Sequence, residues 1–242
     1  MSKWAPNESV VAGWAAAHVQ GERWYSTGYA NRRIDIYSTH DPRAPALVRW
    51  RRPRRPLTVS DQIDIGGITV TSPARTAVDI ARWAVSVDDM VCAVDSVCNA
   101  TGTPIAAVEA AAERMRGLHG VRRVASHLSD CDPRADSPQE TLVRLRIARS
   151  PLPAPVSQLR IRDADGRKIA TADLGYPEWK VAIFYDGSHH GNPEQWRWDL
   201  RVNARLADLG WQVVRITAGM SAEEVVQHVS SAVGRATRTG AA

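Results

Sequence analysis

Two aspartates stand where predicted strands end. Asp173 lies near the end of the strand Ile169 to Leu174, and Asp186 follows directly on the strand Trp179 to Tyr185. Neighbouring strands of a hairpin can aim both carboxylates into one cleft. A hard cation such as Mg²⁺ binds one or two carboxylates and keeps several waters, one of which can attack a phosphodiester. Because side chains alternate along a strand, Ala182, Phe184 and Asp186 share one face while Val181, Ile183 and Tyr185 share the other. His189-His190 comes after Gly187-Ser188 and reaches the same place if the chain turns at the glycine. Each residue also has a plainer reading. Asp173 can face solvent before the Gly175-Tyr176-Pro177 turn, Asp186-Gly187 can be a turn dipeptide, and a lone histidine is usually structural.

Arginines supply the second chemical signal. Arg49, Arg51, Arg52, Arg54 and Arg55 contribute five positive charges within seven residues, and without them the net charge of +5 would fall to zero. Clustered guanidinium groups attract phosphate through counterion release and bidentate hydrogen bonds, so this run is a candidate nucleic-acid contact. The alternative is a solvated loop kept irregular by Pro53 and Pro56. Arg75 opens a helix where its charge opposes the dipole, which favours an internal ion pair. Asp199 and Arg201 read as the solvated face of a helix, and Trp196, Trp198 and Trp211 as packing residues.

The elements that must position these groups follow from periodicity and punctuation. Residues Glu8 to His18 have helical composition, Arg23 to Thr39 alternates as a strand, and Ala46 to Trp50 is a further strand. Gln62 to Thr71 reads as two short strands around Gly66-Gly67. Ser72-Pro73 opens a helix, and the spacing predicts more helices over Val87 to Asn99, Pro104 to Arg116 and Val121 to Ser129. Past the polar stretch 130–136 the order is a helix at Pro138 to Arg149, strands at Ser157 to Arg162, Ile169 to Leu174 and Trp179 to Tyr185, a helix at Pro193 to Asp208, a strand at Trp211 to Ile216 and a last helix at Ala222 to Val233. The expected division is a β-rich unit over 1–72, a helical section over 73–135 and an α/β domain over 136–242.

The bulk properties bound the function. A chain of 242 residues with 44% apolar content folds as one large domain or two small ones. No window is apolar for the roughly 18 residues that a spanning helix requires, and the start MSKWAPNESV has no apolar core of a secretory signal. The expectation is a cytoplasmic protein with no membrane partner. Cys92, Cys98 and Cys131 are spaced for neither a zinc site nor a CxxC pair, and read as reduced thiols.

With Glu140, Asp173 and the strand Val181-Ala182-Ile183-Phe184-Tyr185-Asp186-Gly187 in this order of elements, the C-terminal part resembles the restriction-endonuclease (PD-(D/E)xK) fold. It is closest to the branch that includes the very-short-patch mismatch repair endonuclease. His189-His190 and Leu209-Gly210-Trp211-Gln212-Val213-Val214-Arg215 support that likeness, and the upstream Val70-Thr71-Ser72-Pro73-Ala74-Arg75-Thr76-Ala77-Val78-Asp79 is similar to actinobacterial proteins arranged like AbiEi-type antitoxins. The resemblance implies a mixed sheet flanked by helices, with Asp173 as first metal ligand and Glu140 as the helix glutamate. Phe184 falls where the second acidic ligand usually stands and Asp186 where a lysine stands. The very-short-patch branch has a phenylalanine there too and uses the carbonyl of the next residue, here Tyr185, with His189 or His190 as general acid or base. Ser137-Pro138-Gln139-Glu140 is also a capping box, which accounts for Glu140 with no chemistry.

Two functions are therefore expected. The first is a DNA endonuclease dependent on Mg²⁺ or Mn²⁺. The alternative is a nuclease fold that has lost catalysis and binds DNA, or a toxin or other protein partner, as an antitoxin-like regulator.

Overall fold

The computed structural model describes residues 9–24, 33–39, 46–187 and 193–240, and it divides into two compact units, Met1–Pro133 and Arg134–Ala242. Each has its own sheet. The architecture is mixed α/β, with sheets flanked by helices.

In the first unit, β1 (Val10–Ala12), β2 (Ile34–Tyr37), β3 (Val48–Arg51), β4 (Gln62–Ile65) and β5 (Ile68–Thr71) form a sheet in the order β3-β2-β1-β5-β4. β1 is central, antiparallel to β2 and parallel to β5. The sequence reading made Glu8 to His18 one helix. Instead Val10–Ala12 is a strand, and α1 (Gly13–Val19) begins only after it. Three residues are too few for alternation to show, and only the two flanking strands give Val10 and Val11 their extended partners. β4 and β5 pair as a hairpin through Gly66-Gly67, as expected.

Four helices follow: α2 (Pro73–Trp83), α3 (Val87–Thr101), α4 (Ile105–Arg114) and α5 (Val121–Ser126). α2 packs against α1, α3, α4 and α5, and is buried along almost its whole length. Pro73 takes the first helical position, where its missing N–H costs nothing. Ser72 caps differently from expectation, since its hydroxyl donates to the Ser60 carbonyl at 2.9 Å rather than accepting from the helix. α3 starts with a complete capping box between Ser86 and Asp89.

The second unit runs α6 (Pro138–Ala148), β6 (Val156–Arg162), β7 (Lys168–Tyr176), β8 (Val181–Asp186), α7 (Pro193–Asp208), β9 (Gln212–Thr217) and α8 (Ala222–Gly240). The sheet order is β6-β7-β8-β9, with β8 and β9 parallel and the other pairs antiparallel. One apolar cluster joins Val143 and Ile147 of α6 and Val225 and Val229 of α8 to Ile183 and Ile216. The other joins Val202 and Leu206 of α7 to Ala172, Ala182 and Phe184. The alternation expected for β8 is therefore real: Ala182 and Phe184 meet α7, while Ile183 and Tyr185 meet α6 and α8. Gly175 has no alternative at its position, since a Cβ would lie 2.6 Å from both the Leu159 side chain and the Val181 carbonyl oxygen.

No single helix among the described residues is long and apolar enough to cross a membrane. Among the described residues Cys92, Cys98 and Cys131 are in no disulfide. Burial, helped by Asp95, pushes Cys98 up to about 12, so its thiol is inert at neutral pH.

Candidate functional site

The C-terminal unit brings Asp173, Glu140, Asp136 and Asp186 into electrostatic reach of one another. Each is already occupied. Asp173 Oδ2 accepts the Tyr185 amide at 2.6 Å across the β7–β8 pair. Ser137 caps the helix by accepting the Glu140 amide, and the Glu140 carboxylate takes the Ser137 hydroxyl at 2.8 Å and, instead of the Ser137 amide that a full capping box requires, the Asp136 amide at 2.9 Å. Asp186, at the end of β8, lies 2.7 Å from Arg215 Nη1, and the same guanidinium donates to Asn203 at 3.1 Å. Arg215 also lies over the Phe184 ring, 5.0 Å from its centre.

A residue absent from the sequence expectations completes this group. Gln158 on β6 has φ of 52°, although it is not glycine, and its amide donates to Glu140 Oε2 at 2.9 Å. In register it stands opposite Asp173, between the pairs Ser157–Leu174 and Leu159–Ala172. Ala172 belongs to the cluster on the α7 side and Leu174 to the one on the α6 and α8 side, so strict alternation fails at Asp173. No sequence signal marks this twist, because glutamine has no preference for the left-handed region.

Burial pushes Asp173 up to about 7, Glu140, Asp136 and Asp186 add to the rise, and the Tyr185 amide opposes it. Burial also raises Glu140, against its hydrogen bonds from Asp136, Ser137 and Gln158. Near neutral pH a proton thus competes with any cation for Asp173.

These partners overturn the catalytic reading. Among the described residues no group of three or more His, Cys, Asp or Glu side chains could hold a metal ion. The expected Mg²⁺ or Mn²⁺ centre on Asp173, Tyr185 and Asp186 is corrected accordingly, and with it the endonuclease and hydrolase assignment. The physical reason is that Asp186 is paired with Arg215, Phe184 offers no ligand atom, and Asp173 is half-buried among like charges. His189 and His190 lie outside the described residues, as do the side chains of Trp196, Trp198 and Asp199.

The N-terminal unit builds a different kind of site. Its base is the buried Asp79, whose two oxygens accept Arg75 Nε at 2.8 Å, Arg82 Nε at 2.8 Å and the Tyr37 hydroxyl at 2.9 Å. Arg75 also reaches Asp61 at 3.5 Å, so its charge is satisfied internally, as the helix-dipole argument expected. Burial would lower the Arg75 pKa, but Asp79 and Tyr37 outweigh it and raise it. Asp61 is likewise held low, because hydrogen bonds from Thr58 and the charges of Arg75 and Arg114 outweigh the effect of burial. The Thr71-to-Asp79 segment is therefore an internal clamp, with Thr71 and Thr76 hydroxyls 2.6 Å apart at its start.

Over this base lies a cavity of about 620 Å³. Arg51 at the end of β3 and Arg52, Arg54 and Arg55 just after it form one wall, and Arg75, Arg82 and Arg114 contribute from the helices. Asp61 is the sole acidic residue among those lining it. Arg51 is held by Asp35 at 2.7 Å and stacks 4.1 Å from the centre of the Trp83 ring, which Arg82 also covers at 4.8 Å. Arg49, half exposed, lies 3.9 Å from Asp35 and lines a neighbouring cavity with Arg123 and His119. Gly120 makes the helix packing behind this wall possible, since a Cβ there would lie 2.5 Å from the Arg82 carbonyl oxygen.

Comparison with known proteins gives relatives without a stated activity. Two uncharacterized proteins of Mycobacterium tuberculosis, from strains CDC 1551 / Oshkosh and H37Rv, are each 27% identical to this chain over 176 residues. The matches cover 69% of this chain and 64% of each relative, so the chain spans just under two thirds of their length. No family model matches. No solved structure matches either, and what the comparisons establish is similarity to those mycobacterial proteins.

Proposed function

We propose that this chain is a non-catalytic DNA-binding regulator, antitoxin-like in role, whose C-terminal unit retains a restriction-endonuclease-like arrangement without its chemistry. The observation that carries the reading is the arginine wall of the N-terminal cavity, where Arg52, Arg54 and Arg55 are exposed and have no ion pair among the described residues. Guanidinium groups left without carboxylate partners are the usual means of neutralising a phosphate backbone. The nuclease-like element order supports the C-terminal part of the reading, and the upstream Val70-to-Asp79 segment supports the antitoxin-like part. Pairing of Asp186 with Arg215 is what separates the regulator from an enzyme.

The test is fluorescence anisotropy of a labelled duplex at about 50 mM and about 200 mM salt, alongside plasmid incubated with Mg²⁺ or Mn²⁺. Binding that weakens steeply with salt, over intact plasmid, is the expected result. Absence of binding at the lower salt overturns the reading, and so does nicking that Asp173→Ala abolishes.

A further inference from the structure

We propose that the arginine-lined cavity of the N-terminal unit receives a terminal phosphate, carried either by a free nucleotide or by the end of a nucleic-acid strand. The strand as source rests on the DNA-binding reading above; the cavity itself does not.

Shape is the first argument. A protein that only tracks a duplex spreads its cations over an exposed surface, because backbone phosphates lie on the outside of the helix. Here they surround a recess of about 620 Å³, within the size range of small-molecule sites. At the rim, Arg52, Arg54, Arg55 and Arg114 are exposed, whereas Arg75 at the base is 5% exposed.

Charge is the second. Seven arginines line the recess, and Asp35, Asp61 and Asp79 together compensate three of them, Arg51, Arg75 and Arg82. Arg52, Arg54 and Arg55 have no ion pair among the described residues, and Arg114 shares Asp61 with Arg75 as its counter-charge while donating to the Ala110 carbonyl. Converging like charges are unfavourable without an anion between them. A phosphodiester brings one negative charge, but a terminal phosphate brings close to two and presents three acceptor oxygens in different directions. The second form fits guanidinium groups arriving from separate walls.

Preorganisation and stacking complete the case. Arg75 and Arg82 are fixed by Asp79, and Arg82 Nη2 also donates to the Tyr37 hydroxyl at 3.0 Å. Binding there costs little side-chain entropy. The Trp83 ring carries Arg51 at 4.1 Å and Arg82 at 4.8 Å, so a base attached to the phosphate would stack on the Arg51 guanidinium rather than on the indole itself. A second cavity of about 550 Å³ shares Arg51, Arg82, Trp83 and His119 with the first and adds Arg49 and Arg123. It offers the next phosphate a place if the ligand is a strand.

The experiment uses the full chain and one oligonucleotide sequence in three forms: phosphorylated at the 5′ end, phosphorylated at the 3′ end, and with both ends free. Adenosine monophosphate and adenosine serve as competitors. One phosphorylated form should bind at least about tenfold tighter than the free-ended one, which a single added charge-assisted hydrogen bond suffices to supply. The monophosphate should compete and adenosine should not. Arg114→Gln combined with Arg54→Gln should bring the preference below about twofold, both positions being exposed. If no oligonucleotide binds yet the monophosphate does, the cavity proposal stands with a free nucleotide as ligand and the DNA-binding reading falls. If all three oligonucleotides bind alike and the monophosphate does not compete, the cavity proposal is overturned while DNA binding survives.

Discussion

Arg215 Nη1 lies 2.7 Å from Asp186 Oδ1, so the last residue of β8 is tied to the neighbouring parallel strand β9. The guanidinium spans Asp186, Asn203 and the Phe184 ring. Arg215→Met should lower stability by about 1 kcal/mol, since the pair is partly exposed but carries two further interactions. It should not create metal-dependent nicking, because Phe184 still supplies no ligand. Chemical denaturation and a plasmid assay read the two outcomes.

Asp173 makes stability depend on pH. Its carboxyl is raised from 3.8 to about 7 by burial and by neighbouring carboxylates. A group with a raised folded pKa contributes stability that is fully present below its unfolded value and lost as pH rises through the folded value. The loss should therefore fall between about pH 4 and about pH 7. Asp173→Asn removes the ionisation, and at pH 8 should be more stable than the wild type by on the order of 2–4 kcal/mol, with little difference at pH 4. Melting curves across that range check it. A variant that is less stable at pH 8 would refute the burial argument.

Asp79 is completely buried and satisfies two arginines and a tyrosine. Asp79→Ala should cost about 3–5 kcal/mol, because it strands Arg75 without its main counter-charge. Arg75→Met combined with it should cost less than the two single changes added together, by about 1–3 kcal/mol. Urea titrations of the single and double variants provide the cycle.

Gln158 separates backbone strain from a side-chain bond. Both Gln158→Gly and Gln158→Ala lose the amide bond to Glu140, but only glycine accepts φ of 52° without cost. The glycine variant should be the more stable of the two by about 1 kcal/mol. Equal stabilities in a denaturant series would argue against a left-handed residue there.

If DNA is bound through the segment after β3, salt dependence counts the contacts. Each phosphate neutralised contributes about −0.9 to the slope of log K against log salt. Changing Arg52, Arg54 and Arg55 together to glutamine should flatten that slope by about 2 to 3. An unchanged slope would place the contacts elsewhere.

Much of the architecture was open to local reasoning. From Ser137 onward, Pro138 at a helix start, the Asp163-to-Gly166 turn and the alternation of Val181 to Asp186 each produced the element expected of them. Val10–Ala12 was not legible in this way, because the extended form of that strand depends on partners 23 and more residues away in the chain. The internal ion pair expected of Arg75 and the Ser137 contact of Glu140 were legible because both partners are local, Asp79 and Ser137 lying four and three residues away. Arg215 and Gln158 carry no local signal because Asp186 and Glu140, their partners, are 29 and 18 residues away, and Arg114 joins the cavity wall only through packing beside the distant segment after β3.

Residue order alone was enough to determine the kinds of element, the parity of side chains on β8 and the presence of a cationic run at Arg49 to Arg55, since all three depend on spacing within a few residues. The fate of each charge was decided only by tertiary structure. Whether Asp186 met a metal or Arg215, and whether the arginines lay on an open loop or around a cavity, turned on which strand and which helix packed beside them, and electrostatic energy depends on distance through space rather than along the chain.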